Sequence, residues 1–172
     1  MAVADGQMGI YTREKYLVLG LDPGRDKTGF AFVDSEGRLI VSGIFPSSES
    51  DDFFRAVIDG GSLAEFVIEK NSPLPENLSA SLKFVAIGSG THSKDCTSQV
   101  RAIFTCEVLT VDERNTTLEA RSLYWRLHKP NFWIRLLPEG LRVPNRLFDD
   151  LAAWAIALRA LKKYRDINQN KL

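Results

Sequence analysis

Cysteine and histidine are scarce in this chain, two of each in 172 residues. Cys96 and Cys106 form neither a C-x-x-C pair nor a His-linked metal spacing. Two idle thiols in a reducing compartment, the cytoplasm, are therefore expected. No apolar run reaches the roughly 18 residues that a membrane span needs, and no signal-type apolar segment opens the chain, so no membrane partner is expected. A G-x-x-x-x-G-K-[ST] phosphate loop is also missing, as are internal repeats and low-complexity tracts. What remains is ordinary soluble-protein composition, 44% hydrophobic and 26% charged. It fits a ragged tail over 1–15 and a single domain over 16–172.

Net charge is zero, but the zero conceals a division. From residue 121 onward, eleven Lys and Arg stand against four acids, while the preceding part carries eleven against eighteen. A basic C-terminal third either steers a polyanion to one face or is the solvated side of terminal helices.

Residues 16–34 read YLVLGLDPGRDKTGFAFVD. A buried-strand pattern runs into Asp22, breaks at Pro23-Gly24 and resumes from Thr28. A third strand follows at 38–45, after the Glu36-Gly37 turn, completing an antiparallel meander. Asp51 to Lys70 has helical spacing, with an interruption at Gly60-Gly61 that allows two short helices. A loop is expected over 71–82 and a buried strand over 83–88, followed by a helix at 93–104. A strand at 107–111, a helix at 116–128, a loop at 129–145 and a final helix from 146 to about 165 complete the chain. Three meander strands and two further strands, interleaved with helices, predict an α/β fold with a mixed five-stranded sheet flanked by helices.

Ligands of open α/β sheets gather outside the carboxyl ends of the strands. The first strand ends in Asp22, the fourth in Gly88-Ser89-Gly90-Thr91 and the fifth in Asp112-Glu113. Asp149-Asp150 opens the last helix behind the expected cap Asn145. A carboxylate at the end of an apolar strand is poorly placed for stability, although Asp-Pro-Gly is also good turn chemistry. Several such acids at one sheet edge repel one another unless a cation joins them. Hard divalent ions take carboxylate oxygens, and a pair of them about 4 Å apart serves phosphodiester cleavage.

Three blocks, LGLDPGRDKTGFAFVD, VDERNTTLEA and FDDLAAWAIAL, resemble in order the first-strand, D-E-R-x-T-T-x-E-A and final-helix D-x-x-A-A motifs of the YqgF family. That family belongs to the RuvC-like resolvases with an RNase H-like fold. The resemblance implies a Mg²⁺- or Mn²⁺-dependent nuclease acting on ribosomal RNA precursors or Holliday junctions, as a monomer or a homodimer. Position by position it makes Asp22 the first acid and metal bridge, and Glu113 the second, with Asp112 beside it as runner-up. A gapless match gives Asp149 as the third acid. Helical periodicity instead sets Asp149 opposite the apolar stripe of Leu147, Leu151, Trp154, Leu158 and Leu161, and Asp150 on its flank. Both stay candidates. Arg25, Lys27, Thr91, Lys94, Arg114, Arg142 and Arg146 are the expected nucleic-acid contacts. Where family members usually show Gly-Leu-Pro and a Gly-rich turn, this chain has Gly88-Ser89-Gly90-Thr91, which leaves the substrate open.

Several residues carry a second reading. Thr116 and Glu119 have capping-box spacing, which would start the helix behind Glu113. Arg114 serves either a phosphate or a neighbouring acid. Backbone amides at 88–91 precede a helix and suit a phosphate, with His92 nearby. In the loop KPNFWIRLLPEGLRVPN (129–145), Phe132, Trp133 and Ile134 beside Arg135 and Arg142 suit either base stacking or packing. Two further functions compete with the nuclease: a catalytically inactive nucleic-acid-binding module of the same fold, and an actin-like kinase or ATPase. The last needs two such domains, for which 172 residues leave no room.

Overall fold

The computed structural model describes residues 15–114, 116–138 and 148–169. The expected tail, the cap Asn145 and the stretch holding Arg142 and Arg146 thus lie outside the described residues, Lys15 excepted. The meander forms as read, with β1 (Leu17–Pro23), β2 (Lys27–Asp34) and β3 (Leu39–Pro46). Next come α1 (Ser50–Asp59), β4 (Val67–Lys70), α2 (Leu78–Ser81), β5 (Leu82–Gly88), α3 (Ser93–Ile103) and β6 (Glu107–Val111). Helices α4 (Thr116–Leu127), α5 (Phe132–Arg135) and α6 (Asp149–Gln169) follow. The strands make one mixed sheet in the order β4-β3-β2-β1-β5-β6. β1 pairs antiparallel with β2 and parallel with β5, and β6 runs parallel to β5.

The sheet therefore has six strands where five were expected. The helical reading of 51–70 ends early because Gly60 adopts φ 78°, the left-handed conformation that glycine reaches without strain, and closes α1 onto Ala56 O. Beyond it, β4 pairs antiparallel with β3, setting Ser42 opposite Glu69. Gly43 in β3 permits this edge: a Cβ there would strike the Phe66 carbonyl, which accepts from Ile44 N at 3.0 Å. Within the expected loop 71–82, the Asn77 side chain accepts from Ala80 N and supports one helical turn, α2.

Alternation along the strands builds two cores. Leu17, Leu19 and Leu21 of β1 face α1 and α3, joining Phe30, Phe45, Phe53, Phe54, Phe66 and Phe104. Phe45 and Phe53 stack there with centroids 4.1 Å apart. On the opposite face Val18, Ala31, Val33, Phe84 and Ala86 meet α4 and α6. Small residues set that spacing. A Cβ on Gly20 would strike the Ala153 carbonyl and come within 2.9 Å of the Ala157 Cβ. Helix α6 accordingly lies directly on β1 and β2, buried over most of Asp150–Ala157.

Candidate active site

Asp22 stands at the carboxyl end of β1, on the face covered by α6, two residues beyond Gly20. Its neighbours across the sheet are glycines. Gly29 is its antiparallel partner in β2, and on the other side the Leu21–Ile87 pairing brings Gly88 of β5 alongside. Both absent side chains leave room for a second acid. A Cβ on Gly29 would hit the Asp149 carbonyl, so the first turn of α6 sits on that strand. A Cβ on Gly88 would lie 2.7 Å from Glu113 Oε2, and one on Gly90 would collide with Oε1 of the same carboxylate. The Gly-Ser-Gly turn after β5 is thus the cradle of Glu113.

Asp22, Glu113 and Asp149 are brought to one sheet edge from three elements. Burial first, then Glu113, then Asp149, push the Asp22 carboxyl up to about 7 from an ordinary 3.8. Asp22 is only partly accessible, so little solvent offsets the repulsion.

Residues of the second motif hold Glu113 from behind. Asp112, the runner-up, is exposed and occupied by Arg114. Arg114 Nε donates to its Oδ2 at 2.8 Å and the Arg114 amide to its Oδ1 at 2.9 Å. These bonds from Arg114 hold the Asp112 carboxyl below its ordinary pKa. Thr116 uses both its amide (3.0 Å) and its hydroxyl (2.8 Å) to bond the Glu113 carbonyl. Glu119 does not complete a capping box. Its carboxylate instead takes Arg159 of α6 in a two-pronged pair, at 3.1 Å from Nε and 2.7 Å from Nη2. Arg159 also donates to the carbonyls on either side of Glu113: Nη1 to Asp112 O at 2.5 Å and Nη2 to Arg114 O at 2.7 Å. Sequence reading missed Arg159, which lies 45–47 residues from those carbonyls; its one signal was a cation on the last helix.

The two acids opening α6 part company. Asp149 is about a third exposed and faces Asp22 and Lys27. Asp150 is wholly buried and accepts from Ser42 Oγ of β3 at 2.8 Å. The flank position that periodicity gave Asp150 thus leads down onto the sheet face at Ser42, while Asp149 reaches toward Asp22.

Of the expected nucleic-acid contacts, Arg25 and Thr91 are exposed on the turns that follow β1 and β5, and Lys94 is exposed in the first turn of α3. Arg114 is taken up by Asp112. Lys27 turns inward, its Nζ 2.9 Å from Asp149 Oδ2. That oxygen is buried and accepts no hydrogen bond among the described residues, so the contact is an ion pair without hydrogen-bond geometry. Among the described residues no three His, Cys, Asp or Glu side chains are gathered closely enough to hold a metal ion as they stand. The donor set nonetheless suits a hard divalent cation: carboxylates from three elements, one pushed up to about 7 by burial and then by its neighbours, and a buried Asp149 oxygen that accepts no hydrogen bond among the described residues. The Lys27 ammonium is the cation beside Asp149. Cys96 and Cys106 are free, with burial pushing the Cys96 thiol up to about 12, so neither is a thiolate ligand here. Among the described residues no helix is long and apolar enough to cross a membrane.

No family model matches the chain, and no curated protein does. Among solved structures the chain is similar to a Thermus thermophilus RuvC structure, at 13% identity over 87% of this chain and 96% of that one, with a TM-score of 0.45. At that distance the likeness carries no weight for activity, and the case rests on the residues themselves.

Proposed function

We propose that this chain is a divalent-metal-dependent nuclease that hydrolyses phosphodiester bonds in structured nucleic acid, either precursor ribosomal RNA or branched DNA. The observation that carries the reading is the placement of Asp22, Glu113 and Asp149 at one sheet edge, with glycines clearing space for the latter two. Asp22, Glu113 and Asp149 would hold Mg²⁺ or Mn²⁺ between them. When bound, the metal lowers the pKa of the attacking water and stabilises the leaving oxygen. The chain's own residues have distinct tasks. Asp22 must give up its proton near neutrality to ligate. Lys27 must leave Asp149, which frees its ammonium for a substrate phosphate. Arg25 and Thr91, exposed on the neighbouring turns, and Lys94, exposed at the start of α3, guide the backbone toward the carboxylates.

The test is cleavage by wild type and Asp22→Asn with Mg²⁺ or Mn²⁺, offering single-stranded RNA, a ribosomal RNA precursor and a four-way DNA junction. Wild-type cleavage that falls at least a hundredfold in the variant is expected, and the substrate cut chooses between the two roles. Undiminished cleavage by Asp22→Asn would remove the metal role.

The Lys27–Asp149 pair favours a second reading, an inactive nucleic-acid-binding module in which lysine stands in for a cation. That reading is upheld by salt-sensitive binding with no product at any metal concentration.

A further inference from the structure

The connection between α4 and α6 exposes an apolar surface that the carboxylate site does not use. Phe132 and Trp133 are 70% and 76% exposed, and Leu136 and Leu137 are 66% and 44% exposed. Phe132 and Trp133 therefore do not take up the packing role that the sequence left open, while Ile134 beside them is half-buried. The turn that carries them is well formed. Asn131 Oδ1 accepts from Ile134 N at 3.0 Å, and the Leu136 and Leu137 amides bond the Trp133 and Ile134 carbonyls. The two rings stand edge to face, 5.6 Å between centroids. Bare apolar area of this kind marks a binding surface.

Its location is set by the ends of the connection. Near the end of α4, the Tyr124 ring lies 6.4 Å from that of Phe148, the residue before Asp149. Tyr124 also packs on His128, whose Nε2 is 2.7 Å from Glu69 of β4. The chain therefore departs toward α5 from beside the start of α6, the point to which it must return. Across the described part of the same connection, residues 128–138, the sequence carries Lys129 and Arg135 and no acid.

We propose that α5 is a stacking platform for unpaired bases of a single-stranded nucleic-acid segment, beside the carboxylate edge. Aromatic faces interleaved with cations are what a single strand requires: every base offers a π-face, and its backbone offers negative charge. A second copy of this chain fits less well. Four exposed side chains provide on the order of 500 Å², short of the roughly 800 Å² per partner of a stable pair, and a two-fold contact would set like charges together. A duplex fits less well too, because its base faces are already covered. The proximity of the platform to a cleavage site rests on the nuclease reading; the stacking itself does not.

The test measures affinity of the full chain, without divalent metal, for a fluorescein-labelled oligo(dT), an unstructured RNA and a blunt DNA duplex of equal length. The variants are Phe132→Ala/Trp133→Ala and the conservative Trp133→Phe. Wild type is expected to prefer single strands. The double variant should lose roughly tenfold or more in single-strand affinity with duplex affinity unchanged, and Trp133→Phe should retain most of the binding. An unaltered melting temperature in the double variant would show the fold intact, as expected for exposed rings. Equal single-strand affinity in wild type and the double variant would overturn the proposal. So would a concentration-dependent dimer in sedimentation that the double variant abolishes, which would assign α5 to self-association. Absence of metal-dependent cleavage with the binding differences intact would remove the nuclease reading and leave the platform standing.

Discussion

At the scale of single residues, the chemistry proposed for Asp22 has a cost to stability with a definite pH signature. Its folded-state pKa is raised to about 7 while the unfolded chain titrates near 3.8. Between those values the folded state holds a proton that the unfolded state has released, so stability falls as pH rises across that window and levels off above it. In metal-free buffer, Asp22→Asn should remove that slope. The variant is expected to melt higher than wild type at pH 8 by about 4–8 °C, corresponding to about 2 kcal/mol, and the gap should narrow at pH 5. A gap independent of pH would show that burial and the neighbouring acids do not raise the Asp22 carboxyl. Gly90 makes the complementary case. Any side chain there meets the Glu113 carboxylate, so Gly90→Ala should keep the fold and lower metal-dependent cleavage at least tenfold, read as kcat at saturating substrate. A wild-type rate would mean that Glu113 moves aside without consequence.

Among the elements, the D-E-R-x-T-T-x-E-A block divides sharply between one acid and its scaffold. Read as sequence, Glu113 was the acid with Asp112 as runner-up, Arg114 served either a phosphate or a neighbouring acid, and Thr116 with Glu119 had capping-box spacing. In the fold, Asp112 and Arg114 satisfy each other, Thr116 bonds the Glu113 carbonyl, and Glu119 reaches across to α6. Arg159 completes that scaffold by bonding the carbonyls that flank Glu113, and no local pattern announces a partner 40 residues from Glu119. Arg159→Ala should lower stability by about 2 kcal/mol, since two carbonyls and a carboxylate lose a charged donor. It should also weaken Mn²⁺ binding measured by calorimetry, a readout that a purely structural loss elsewhere would not move. Arg159→Lys retains the charge but not the fork, so it should recover the stability in part and the Mn²⁺ affinity little. Unchanged Mn²⁺ affinity in Arg159→Ala would show that Glu113 does not need the clamp. Edge strand β4 was hidden for a different reason. Four residues are too few to display a period of two, and they followed a helical spacing that only the Gly60 conformation terminates.

For the molecule as a whole, the three-stranded meander and the residues at the strand ends were legible, because burial alternation and Asp-Pro-Gly are local signals. The choice between Asp149 and Asp150 was not, because it depends on how deeply α6 settles onto the sheet. That depth is set by Gly20 and Gly29 on strands remote in sequence. The same seating positions Asp149 and carries Arg159, so one of the two cores bears the site while the other, built from phenylalanines, bears none of it. Two substitutions separate these loads. Gly20→Ala places a methyl against the Ala153 carbonyl and the Ala157 Cβ, forcing α6 outward at a cost of about 1–3 kcal/mol. Val57→Ala, fully buried on α1 in the opposite core, costs a similar amount by leaving a cavity. In a thermal melt, Mg²⁺ or Mn²⁺ should raise the midpoint of wild type by binding only the folded state. Val57→Ala should keep that increment in full from a lower starting point. Gly20→Ala should lose most of it, because the helix that carries Asp149 has moved relative to Asp22. Equal metal increments in the two variants would mean that the seating of α6 is packing alone, and that the acids reach one another by side-chain freedom rather than by the placement of the helix.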